Sequence, residues 1–184
     1  MNKIRSSLSN SLRRPFVQWT LAVCIVCLVS FCSALTAQDI TGFWRSINDK
    51  SGQTQCIVAI YEYQNMYYGR IIGTCDASGK AVDTIYAPTG RAPGISGTPF
   101  YAGLDLIWDL RKRGSRYKGK IVDPERGRIY DAKLWVEDGN LIIRGEFLFF
   151  GRNVTWLPAL ESDFTPEFKK PDVTKFIPVI PEVN

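Results

Sequence analysis

Two cysteines, two pairs of carboxylates and one run of basic side chains are what this chain offers for chemistry. Beyond residue 37 its only cysteines are Cys56 and Cys75, too few for a structural zinc site. No histidine occurs anywhere, which removes Ser-His and Cys-His dyads, the commonest general base at neutral pH, and His-based metal sites. No metal or other cofactor is therefore implied. Asp105 with Asp109, and Asp123 with Glu125, are spaced as carboxylate pairs. A glycosidase needs such a pair across a cleft. Here the first pair falls on the expected water face of a strand and the second in a turn, so both read as surface charge and no catalytic residue is assigned. Basic residues concentrate over 111–120 around Gly114-Ser115. That run reads either as a contact for anionic lipid or glycan groups, or as a solvated hairpin tip that keeps a sheet edge soluble.

The elements that must position these residues are β-strands. Leu134 and Val136 alternate with Lys133 and Glu137, and Leu141 and Ile143 repeat the pattern after Asp138-Gly139. A period of two sends one set of side chains to a core, and Asp-Gly between two such runs is a strong hairpin signal. Leu104, Leu106, Trp108 and Leu110 alternate likewise, with Asp105 and Asp109 on the opposite face. Tyr130, Ala132, Gly145, Phe147 and Phe149 extend the inward set, and Asp123-Pro124-Glu125-Arg126-Gly127 makes a turn. Residues 56–63 and 67–74 form a further hairpin, apolar on both faces. Centred between Asn65 and Met66, that hairpin sets Cys56 opposite Cys75, close enough for a cross-strand disulfide. A longer turn would shift the register, and two unpaired buried thiols are the alternative.

Residues 76–103 differ in kind, holding three prolines and five glycines with little periodicity. So long a loop inside a domain is either a structured plug or a lid that contacts a ligand, and Asp83 and Arg91 are its candidate contacts at the mouth. After a last strand near 152–156, five prolines make residues 158–184 an extended tail whose apolar stretch 176–180 can dock on a partner. The count is roughly eight short antiparallel strands with almost no helix signal. Eight strands can close into a barrel that removes both edges, and a sandwich is the competing solution.

Residues 1–37 read as a signal peptide. Lys3, Arg5, Arg13 and Arg14 precede an apolar run over 21–35, and small residues follow at Ser33, Ala34 and Ala37. An uncleaved anchor is the alternative, since 16–37 is just long enough to span a bilayer. The formal charge of +5 owes four units to this leader, leaving 19 basic against 18 acidic side chains beyond it. A nucleic-acid partner is therefore not implied. A single cysteine pair in an exported domain suits a disulfide, and the address expected is the periplasm or the medium.

Gly42-x-Trp44, Tyr68-Gly69-Arg70-Ile71, Asp83 with Pro88 and Arg91, Gly119-x-Ile121-x-Asp123-Pro124-x-x-Gly127-x-x-Tyr130, Leu141 with Arg144-Gly145, and Gly151-Arg152 with Trp156 together resemble the exported bacterial family called domain of unknown function 2147. The resemblance implies an all-β, up-and-down, lipocalin-like (calycin) barrel over residues 38–157, and the long loop read above falls between its third and fourth strands. It also implies structural roles for Asp123, Pro124 and Gly127, and a Trp44 packed under Arg152 to close one end through a cation–π contact. The family carries no settled activity. The function expected is binding of a small hydrophobic or amphipathic ligand, lined by Leu106, Trp108, Tyr130, Leu134, Ile143 and Phe147, with Asp83 and Arg91 at the mouth. The rival is a solid-core interaction module that works through the basic hairpin or the tail.

Overall fold

Short turns set the register of the sheet. In the computed structural model, which describes residues 37–48, 51–147 and 150–184, Asp138 and Gly139 carry φ values of 50° and 77°, and Glu137 pairs with Asn140 across them. Positive φ at both central positions matches the twist of the flanking strands. Gln64 and Asn65 do the same, at 50° and 62°, between Tyr63 and Met66. The leader expected over 1–37 lies, apart from Ala37, outside the described residues, as does Phe149.

The strands are β1 (Gly42–Ile47), β2 (Thr54–Tyr63), β3 (Met66–Cys75), β4 (Ala81–Thr84), β5 (Asp105–Arg113), β6 (Arg116–Asp123), β7 (Arg128–Glu137), β8 (Asn140–Phe147) and β9 (Phe150–Pro158). Neighbours run β2-β1-β9-β8-β7-β6-β5-β3, all antiparallel, and β3 pairs back to β2. Eight strands thus close into a barrel, and β4 lies beside the ring on the end of β3. The β2–β3, β5–β6 and β7–β8 turns share one end. There Ala37 N–H donates to Gly114 O at 3.2 Å and Trp44 Nε1–H to Ile40 O at 2.9 Å. The β1–β2 and β6–β7 connections and the crossing from β3 to β5 share the other end.

The inner face is packed through most of the barrel. Tyr117, Leu134 and Ile143 oppose one another across three strands, as do Leu141 and Trp156, and all five are buried. A second core lies outside the ring. Ile57, Ala59 and Ile72 on β2 and β3 are covered by Phe168 of the C-terminal tail, with Phe43, Phe164 and Phe176 packed against them. The hairpin is apolar on both faces because both are buried, one by the barrel and one by the tail. The tail turns twice, at Glu161–Asp163 and Val173–Lys175, and docks on the chain's own barrel.

Three sequence expectations give way here. Cys56 and Cys75 are free thiols. The hairpin turns one residue earlier than expected, and a bulge between Ile57 and Val58 recovers only part of the difference, so Cys56 faces Thr74. Asp105 is not on a water face: it is 1% exposed, because the tail covers that side of β5. Finally, Trp44 pairs with Pro158 whereas Arg152 pairs with Gly145. Six residues of β9 separate the two positions, on the order of 20 Å, so no Arg152–Trp44 stack closes the barrel. Trp44 is instead tied to Ile40.

Candidate functional site: the open end of the barrel

At the end opposite Trp44 the packing stops short of the rim and leaves a cavity of about 740 Å³, open to solvent. Its apolar part comes from strand positions on the inner face: Cys56 at the start of β2, Ile71 on β3, Leu106 on β5 and Trp156 on β9. Its polar part comes from strand ends, with Ser46 on β1, Thr54 on β2 and Thr74 on β3, and from connections: Asp76 after β3, Asp83 and Tyr101 on the crossing, Asp123 and Glu125 at the β6–β7 turn. No Lys or Arg lines it among the described residues. The surface is amphipathic and acidic at the rim.

The crossing over this end is pinned by residues of the family motifs. Asp83, buried, accepts from Thr89 N–H at 2.7 Å through Oδ1 and from Gly90 N–H at 3.1 Å through Oδ2, which fixes the turn after β4. Gly94 N–H donates to Pro124 O at 2.9 Å. A Cβ on Gly94 would meet the Gly127 nitrogen at 2.2 Å, so two backbones touch where Asp123-Pro124-x-x-Gly127 turns. Gly127 takes φ 62°, and Asp123 Oδ1 accepts from the Glu125 and Arg126 amides. Tyr101 Oη–H donates to Glu125 Oε1 at 2.5 Å. Burial, then that bond, holds the Tyr101 hydroxyl well above its ordinary range, so it stays a donor and ties the crossing to the β6–β7 turn.

The two thiols at the cavity wall are poor nucleophiles. Burial pushes Cys56 up to about 12 against a weaker opposing hydrogen bond from Ser46. Burial and then the Asp163 and Asp76 carboxylates push Cys75 up to about 11. At neutral pH both are protonated, and thiolate chemistry is not what the cavity is arranged for.

Of the sequence-derived lining, Leu106 and Asp83 border the cavity. Trp108, Leu134 and Ile143 are buried in the packed interior. Tyr130 and Phe147 meet edge to face, with ring centroids 6.2 Å apart; Phe147 is 57% exposed and lies at the β8–β9 tip. Arg91 is exposed, with Nη1–H donating to Thr98 O at 3.0 Å and the guanidinium 4.0 Å from the Phe100 ring centre. Sequence reasoning missed Trp156 and Glu125 as lining. Trp156 was legible as an inward position two residues on from Val154. The Tyr101–Glu125 bond was not, because it depends on how a long crossing folds.

The chain matches the sequence profile described as "Uncharacterized protein conserved in bacteria (DUF2147)" over residues 42–157. It belongs to that family. The matched span covers β1 to all but the last residue of β9 and stops short of the tail, so the DUF2147 unit is the barrel. No curated protein matches the chain. Among solved structures, the protein HP1028 from Helicobacter pylori, described as belonging to the lipocalin family, superposes with a TM-score of 0.55 at 16% identity, covering 68% of this chain and 86% of that one. At that identity the likeness is one of fold, and it agrees with the closed eight-stranded ring.

Proposed function

We propose that this DUF2147 protein is exported and binds a small amphipathic molecule in the open end of its barrel. The observation that carries the reading is the cavity of about 740 Å³ in which Ile71, Leu106 and Trp156 form an apolar patch among polar strand ends and an acidic rim. Small-molecule sites typically measure roughly 300–1,000 Å³ and combine a mostly apolar lining with a few placed polar groups. Ile71, Leu106 and Trp156 would take the apolar body. The Asp76, Asp123 and Glu125 carboxylates would accept hydrogen bonds from hydroxyl or amine groups at the rim. Basic residues followed by an apolar run at the N-terminus support export. The rival reading, a solid-core interaction module that works through the basic hairpin or the tail, loses support on the tail side because the tail lies on its own barrel.

The test is mass spectrometry of the organic extract of full-length protein recovered without detergent from the cell envelope. A stoichiometric small molecule is expected from the wild type and not from Leu106→Trp, which fills the cavity. An extract that is empty, or identical for the two proteins, would refute the reading.

A further inference from the structure

The β5–β6 hairpin places its charges against the usual logic of a paired ladder. Arg111 faces Lys118, and Arg113 faces Arg116, directly across the two strands. Tyr117 between them is buried in the barrel, so by alternation all four cations stand on the outer face, and all four are exposed. Like charges set opposite one another destabilise a sheet. The adjoining strands neutralise theirs: Lys120 pairs with Asp131, and Lys133 and Arg144 share Glu146. No ion pair among the described residues reaches Arg111, Arg113, Arg116 or Lys118. Counting Asp109 and Glu137 on the flanking strand positions, the patch still keeps an excess of positive charge.

Two further features of the hairpin indicate what meets these charges. The Arg116 guanidinium lies 4.3 Å from the centre of the Trp135 ring, which puts an indole on the same outer face. Indole rings beside cationic side chains suit the headgroup level of a bilayer. The chain also enters the barrel at this tip. Ala37 N–H donates to Gly114 O at 3.2 Å, two residues after the apolar run over 21–35 ends. A cluster of four Lys and Arg side chains next to an apolar segment is an arrangement that binds anionic lipid. A soluble polyanion would meet the same charges, but it would account for neither the indole nor the point of entry.

We infer that the outer face of the β5–β6 hairpin rests on an anionic lipid bilayer, with Arg111, Arg113, Arg116 and Lys118 on lipid phosphates and Trp135 at the headgroup level. The cavity mouth, at the opposite end of the barrel, is left to the water. The contact stands whether or not the cavity carries a ligand.

The experiment uses the full-length chain carrying Trp19→Phe, so that the leader does not report. Vesicles of phosphatidylcholine, alone or mixed with phosphatidylglycerol, contain a lipid with a nitroxide on its headgroup. With the mixed vesicles, quenching is expected of the emission that Trp135→Phe removes. The buried Trp44, Trp108 and Trp156 should contribute little to it. Quenching should be slight with phosphatidylcholine alone, and in about 1 M salt, which screens exposed charges beyond roughly 3 Å. Arg113→Gln/Lys118→Gln is expected to raise the lipid concentration for half-quenching about thirtyfold, since each Lys or Arg near an anionic surface contributes about 1 kcal/mol. Its thermal stability should match or exceed that of the parent, because each opposed pair loses one cation, so weaker binding would not reflect a lost fold. No quenching of Trp135, equal quenching by the two kinds of vesicle, or an unchanged midpoint in the double variant would overturn the inference. Binding of soluble polyphosphate without headgroup quenching would overturn it too, in favour of a soluble polyanion.

Discussion

Asp105→Leu tests the tail's attachment most directly. Asp105 is 1% exposed and accepts four hydrogen bonds: Arg70 Nε–H at 3.0 Å, Arg70 Nη2–H at 2.6 Å, Tyr61 Oη–H at 2.8 Å and the Val179 amide at 2.8 Å. Arg70 Nη2–H also donates to Ile177 O at 2.7 Å, and its guanidinium lies 4.6 Å from the Phe176 ring centre. One carboxylate thus joins β5, β3, β2 and the tail. Burial works against the Arg70 charge, and the bonds to Asp105 overcome it. Leucine keeps the volume but leaves a guanidinium only 14% exposed without its counter-charge. Breaking one side of a buried pair costs about 3–5 kcal/mol. The bond to Ile177 O survives and the Arg70 head can turn toward water, which puts the cost near the lower figure, about 3 kcal/mol. At 2–4 °C per kcal/mol for a domain of this size, the melting temperature should fall by roughly 10 °C. Urea denaturation of wild type, Asp105→Leu and Arg70→Met/Asp105→Leu measures it. The double variant should recover more than half of the loss, because no uncompensated charge remains. A single variant within about 0.5 kcal/mol of wild type, the range of an ordinary surface change, would refute the account of the clamp.

Other consequences can be read from the same contacts. Gly94→Ala sets a Cβ 2.2 Å from the Gly127 nitrogen and 2.8 Å from Pro124 O. Calorimetry should show destabilisation of about 2 kcal/mol or more from this backbone overpacking, with the crossing more open to proteolysis. Ending the chain at Ala159 removes Phe164, Phe168 and Phe176 from Ile57, Ala59 and Ile72. At about 1.5–3 kcal/mol per buried apolar side chain, that chain should aggregate, and a soluble, monomeric product by gel filtration would contradict the second core. Thiol titration in denaturant without reductant should find both Cys56 and Cys75 reactive, with native-state labelling slow at neutral pH. Because folding holds these thiols at about 12 and about 11 against an ordinary 9.0, their protonated forms are favoured in the fold. Stability should therefore be unaffected by them below pH 9 and decline as pH rises from there through the folded values. Cys56→Ala/Cys75→Ala should flatten that decline.

The strands were legible in the sequence because their two faces differ. Leu134, Val136, Leu141 and Ile143 alternate with charged or polar neighbours, and Asp138-Gly139 dictates its own turn. Legibility failed wherever a face is covered by something distant in sequence. Asp105 alternates with Leu104 and Leu106 like any solvent-facing acid, and only the return of Val179 makes it buried. The Cys56–Cys75 pairing was a register argument, and a turn centred one residue earlier displaced it, a shift that the bulge between Ile57 and Val58 only partly undoes. Phe147 follows the inward parity of β8, yet at the strand's end there is no barrel left to enclose it. At the site, parity gave Leu106, whereas Asp123, Pro124 and Gly127 were read only as structural and the lining roles of Asp123 and Glu125 were missed. The Gly94–Gly127 approach depends on a crossing whose path no periodicity describes.

The closure of the ring has a consequence for how the protein is made. β1 pairs with β9 as well as β2, and Val183 bridges to Ile95. The first described strand to emerge during synthesis therefore waits for the last, and the second core waits for Phe164, Phe168 and Phe176. A partly emerged chain carries β1 and β8 as open edges, with Ile57, Ala59 and Ile72 bare. Contacts of such sequence separation fold slowly, and exposed edges invite mispairing. Completion of the chain is therefore a step at which this barrel is exposed to mispairing.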